Sequence, residues 1–103
     1  MIVIRQGEIM ATLSNDLKVA CEIYKENLSR KPVWFSKLVE NLDGVISRCE
    51  VSHALDTLTD WGIIEGHYDS LGNGWSGYVY EISDSAQDTI KKLYETHYID
   101  ILR

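Results

Sequence analysis

Residues 46–64 read ISRCEVSHALDTLTDWGII, and this stretch decides the fold. Ser47-Arg48-Cys49-Glu50 is a capping box: the serine hydroxyl accepts from the amide three residues on, and the glutamate reaches back to the serine amide. Val51, Ala54, Leu55, Leu58 and Trp61 then recur at helical spacing, and Gly62 stops the helix. With that apolar stripe turned inward, Arg48, Ser52, His53, Asp56, Thr57 and Asp60 face outward.

Upstream, Asp43-Gly44 supplies a turn, and a shorter helix is predicted over about residues 34–42, burying Phe35, Leu38, Val39 and Leu42. Before it, a longer helix runs from Ser14 or Asn15 to Leu28. Leu17, Ala20, Tyr24 and Leu28 mark its face, widened by Leu13, Cys21 and Ile23. Arg30-Lys31-Pro32 breaks this helix, because proline lacks a backbone donor and restricts its predecessor.

Downstream, residues 63–68 and 78–82 are rich in β-branched and aromatic side chains and read as paired strands. Residues 69–77 between them form a hairpin loop, with Asn73-Gly74 as the turn signal. A last helix starts at Asp84, with Gln87 as a second capping-type partner. Ala86, Ile90, Leu93, Tyr94, His97 and Ile101 form its stripe. The chain reads as one domain over residues 1–103, α+β and mostly helical. Residues 1–13 form an N-terminal arm, and residues 84–103 a C-terminal helix for dimerisation.

Helix, helix, tight turn, capped helix, glycine, hairpin, helix is the winged helix-turn-helix order. Ile46-Ser47-Arg48, Val51-Ser52, Ala54-Leu55-Asp56, Leu58 and Gly62-Ile63-Ile64 resemble the recognition-helix region of prokaryotic winged-helix transcriptional regulators. So do Tyr78-Val79-Tyr80-Glu81-Ile82-Ser83 and the helix after them, in the manner of PadR-like or MarR-like families. The similarity covers about residues 15–95. It implies a DNA-binding transcriptional regulator acting as a homodimer, with the third helix in the major groove. Arg48 would then grip guanine or phosphate with two hydrogen bonds. Ser47 and Ser52 would donate to phosphates, or serve capping and solvation alone; both readings stand. His53 and Thr57 complete the outward face, and Lys31 and Lys37, around the start of the second helix, add phosphate contacts.

Charge departs from that pattern. The chain carries a net charge of −6, whereas an isolated DNA-binding module is ordinarily basic. From Leu38 to Ile90 Arg48 is the one Lys or Arg, set against Glu40, Asp43, Glu50, Asp56, Asp60, Glu65, Asp69, Glu81, Asp84 and Asp88. The alternative is therefore a winged-helix protein–protein interaction module, meeting its partner through the acidic third helix and Trp75. Trp34, Phe35 and Trp61 are expected in the core. Trp75, in a glycine-rich loop, either folds back on its hairpin or contacts a partner.

Other chemistry finds little support. Gly72-Asn73-Gly74-Trp75-Ser76-Gly77 spells a dinucleotide-binding pattern, but strands flank it on both sides where the motif needs a following helix. Cys49 and His53 lie four apart on one helix face, and His67 approaches from the wing, but no fourth ligand is evident and no metal is expected. There is no recognisable Ser/His/Asp, Cys/His or paired-carboxylate set, so neither an enzyme nor a cofactor is expected. No apolar run approaches the roughly 20 residues of a membrane span. Cys21 and Cys49, without a CxxC partner, suit reduced thiols in the cytoplasm.

Overall fold

In the computed structural model, residues 14–30, 33–72 and 75–98 are described, without the side chains of 71, 72, 75, 76, 97 and 98. The order is α1 (Asn15–Leu28), α2 (Phe35–Asn41), α3 (Arg48–Asp60), β1 (Ile64–Gly72), β2 (Trp75–Ile82), a 3-10 turn (Asp84–Ala86), α4 (Gln87–Leu93) and a π-helical turn (Tyr94–Tyr98). The strands pair antiparallel as the wing.

Helix α1 is the central beam, packing against α2, α3, α4 and β2. Ser14 caps it by accepting from the Leu17 amide. Val19, Ala20, Cys21 and Ile23 are fully enclosed, and Tyr24 nearly so. Two carboxylates are buried with them and each has a partner. Glu22 pairs with Lys25 at 3.0 Å, and Glu26 accepts from Asn41 Nδ2 at 2.8 Å. Leu28 is exposed, contrary to the expected stripe. The last turn instead presents Asn27 to the sheet, where its amide donates to the Tyr80 carbonyl and accepts from the Ile82 amide.

The capping box of α3 forms as read. The Glu50 amide donates to Ser47 Oγ at 3.2 Å, and the Ser47 amide donates to Glu50 Oε1 at 3.0 Å. Val51, Ala54, Leu55 and Leu58 are buried in the core. Trp61 is not; it is 63% exposed. The helix closes with a Schellman motif: the Ile63 amide donates to the Leu58 carbonyl and the Gly62 amide to that of Thr59, with Gly62 at φ +75°. In such an ending the apolar contact falls to the residue after the glycine. Half-buried Ile63 packs against the core, and Trp61 at the C-cap is left outside.

The wing strands are longer than predicted. Pairing runs on through the segment read as loop, with Asp69 opposite Gly77, Ser70 opposite Ser76 and Gly72 opposite Trp75, and an irregularity between Ser70 and Gly72. The turn signal itself, residues 73–74, lies outside the described residues. Gly72 and residues 75–77 of the glycine pattern thus lie within the strands themselves. A third rung was not foreseen: Trp34 bridges antiparallel to Val79, and the Tyr80 amide donates to the Val33 carbonyl at 2.7 Å. This ties the start of α2 to the wing.

The last segment also differs from its expectation. Gln87 makes no capping pair with Asp84; its Nε2 donates to the Ile82 carbonyl. Buried Ser83 turns its hydroxyl back to the Gly62 and Ile63 carbonyls at 2.6 and 3.0 Å. With no side-chain cap, the chain enters the helix through a 3-10 turn. Ile90 and Tyr94 face the core, and the Tyr94 ring lies 5.3 Å from that of Tyr24. The N-terminal arm, residues 1–13, and the end from residue 99 lie outside the described residues. Among the described residues, no helix is long and apolar enough to cross a membrane.

Candidate nucleic-acid interface

Helix α3 packs against α2 and against β1 of the wing, and Trp34, the N-cap of α2, bridges to β2. On α3, Arg48, Ser52, His53, Asp56 and Asp60 are exposed and Thr57 is half-buried, as the stripe implied. Ser47 is exposed and engaged in the cap. Glu50, in the same turn, also accepts from Asn15 of α1. These bonds to its charged form, the Ser47 amide first, hold the Glu50 carboxyl below its usual range.

Arg48 is the best-positioned cation of this face. Its guanidinium lies over the Phe35 ring, 4.8 Å from the centroid. Phe35 is therefore half-buried rather than a core residue: one part packs on the core and the ring face carries the arginine. Lys37, half-buried, is on α2. Lys31 lies outside the described residues. Arg48 and Lys37 thus come from adjoining helices, while Ser52, His53 and Thr57 follow along α3.

The sequence reading did not foresee the aromatic side of the wing. Alternation places Tyr68, Tyr78 and Tyr80 on the same face as the buried anchors Ile64 and Ile82. Tyr68 and Tyr78, opposite one another, meet edge-to-face with centroids 5.6 Å apart, yet both are more than half exposed. Gly66 leaves space here, since a Cβ at that position would come within 3.3 Å of the Tyr80 ring. A shallow groove continues from Tyr80 and Tyr78 over Gly77 to Trp34, Phe35 and Ser36. The signal was present as tyrosines two apart in 78–80, but which face they take depends on the cross-strand register.

Neither thiol is paired with the other. Cys21 is enclosed in the core, where burial pushes its pKa up to about 12, and Cys49 is exposed. Among the described residues, Cys49, His53 and His67 do not gather as one ligand set; His67 instead lies with Glu65 and Glu81 on the other face of the wing. The Trp75 side chain lies outside the described residues, so its two readings stay as they were.

No protein-family profile matches the chain, and no curated protein is found similar to it. Solved structures share its fold. Pex, a circadian clock associated protein from Anabaena, superimposes with a TM-score of 0.67 at 19% identity, over 87% of this chain and 81% of its own. A PadR family transcription regulator from Clostridium difficile gives 0.61 at 15%, over 85% and 92%. ZitR of Lactococcus lactis gives 0.64 at 18%, over 86% of this chain and 54% of that one. The chain has the winged helix-turn-helix fold.

Proposed function

We propose that the protein is a DNA-binding transcriptional regulator that acts as a homodimer, with α3 as its recognition helix. The observation that carries this reading is Arg48: a guanidinium in the first turn of a fully capped helix, steadied on the Phe35 ring, at the end of a recognition helix that meets base edges. The solved structure of a PadR family transcription regulator with the same fold supports it. Ser47 and Ser52 serve phosphate oxygens, and Lys31 and Lys37 position the backbone. The test compares two variants on a selected duplex and on mixed-sequence duplex. Arg48→Ala is expected to weaken binding by about 1–3 kcal/mol and relax sequence preference. Lys37→Ala is expected to weaken all sequences alike and lower the salt slope by about one.

A second reading is a protein–protein interaction module, favoured by the exposed Trp61 that caps the C-terminus of α3, a helix whose exposed residues include Asp56 and Asp60. An exposed indole at the end of a helix whose outward face is acidic fits a partner surface that is apolar where the indole lands and basic beside it. Under this reading Trp61→Ala abolishes partner capture while Arg48→Ala leaves it intact. Under the DNA reading the order of the two variants is reversed on duplex.

A further inference from the structure

On the wing face away from the tyrosines, the register sets Glu65 directly opposite Glu81, and His67 opposite Val79. Alternation brings Glu65, His67 and Glu81 to this one face. Each offers a ligand atom, and the three atoms all lie within 4.8 Å of one another. His67 Nε2 is 2.7 Å from Glu81 Oε1 and 4.0 Å from Glu65 Oε2. Like charges directly opposite across a ladder destabilise it, so this pairing favours a cation between the carboxylates. The imidazole separates the cluster from ordinary acidic surface, because it adds the nitrogen donor that first-row transition ions prefer over oxygen alone.

A second feature adjoins it. His67 and Glu81 also line an open cleft of about 320 Å³, whose other walls include Asn27, Arg30, Val33 and Gln87. The three ligand atoms thus adjoin a cleft with polar groups in its walls, two of the three side chains lining it.

We propose that Glu65, His67 and Glu81 form a divalent transition-metal site that clips β1 to β2 and cancels the charge of two wing carboxylates. The donor set, one nitrogen and two carboxylates, suits Zn²⁺, Co²⁺ or Ni²⁺ over thiophilic ions. The site stands on the wing's own geometry and does not depend on the DNA reading.

The test titrates chelator-treated full-length protein with Co²⁺, followed by visible absorption, and with Zn²⁺, followed by calorimetry. One ion per chain is expected. His67→Ala and Glu65→Gln are each expected to lower the affinity at least about tenfold, a loss that even outer partners of metal ligands produce. All three positions are exposed, and circular dichroism checks that the variants stay folded. The Cys49→Ser, His53→Ala double variant is expected to bind as the wild type does. Three outcomes overturn the proposal: no binding up to millimolar ion, binding that survives both wing variants, or a thiolate-to-cobalt band lost with Cys49.

Discussion

Arg48 and Phe35 belong to different helices, and their contact restricts a long side chain that would otherwise sample many rotamers. Phe35→Leu keeps most of the apolar volume and removes the ring face. It is expected to weaken duplex binding about two- to fivefold, matching the roughly 0.5–1 kcal/mol of an exposed cation–π contact. Calorimetric stability should change by much less than in Leu55→Ala. Leu55, 5% exposed within the core, should cost about 2–5 kcal/mol on truncation, read as a lower denaturant midpoint. Cys21 gives a pH signature. Its thiol titrates near the ordinary value when unfolded but only near about 12 when folded. The unfolded state then holds fewer protons over that window, so stability is intact below the unfolded pKa and falls as pH rises toward the folded one. Buried Tyr94 pushes the same way, so the check is the difference between wild type and Cys21→Ala. The alkaline fall should be shallower in the variant.

At the scale of elements, the cap of α3 is the most informative feature. Ser47→Ala removes the acceptor for the Glu50 amide and should cost about 1 kcal/mol. Glu50 works the other way from Cys21. Its folded pKa is lowered, so its contribution is present above the unfolded value and disappears as pH falls through the folded one. An acid titration of Glu50→Gln beside wild type should therefore show the two converging at low pH. The cap was legible because a capping box is local: four consecutive residues carry it. The inward stripe of α3 was legible for the same reason, except at Trp61, where the helix had already given way to a Schellman turn and periodicity no longer applied. The wing's length was misjudged because glycine and serine over 69–77 resemble loop residues, while their pairing depends on the partner strand. The Trp34 bridge, the tyrosine face and the Glu65–His67–Glu81 cluster all arise from register between segments distant in sequence. No local pattern announces them.

At the scale of the whole molecule, charge and assembly decide what the interface can do. Between α2 and α4 the acidic residues far outnumber the single Arg48, so few phosphate contacts are available per subunit and the salt slope should be shallow. A homodimer would double those contacts and set two copies of α3 about one DNA turn apart. Apolar residues 1–4 and Tyr98, Ile99 and Leu102 motivate pairing through the terminal segments. Sedimentation should then show a dimer at micromolar protein that dissociates on deletion of residues 98–103; a monomer unchanged by that deletion contradicts the arrangement. The most direct measurement for DNA binding itself is a titration of labelled mixed-sequence duplex at low and at physiological salt. Saturable binding at low salt, weakening only modestly at physiological salt and reduced by Arg48→Ala, is the expected result. A well-folded protein that leaves the duplex unbound even at low salt contradicts DNA recognition by α3.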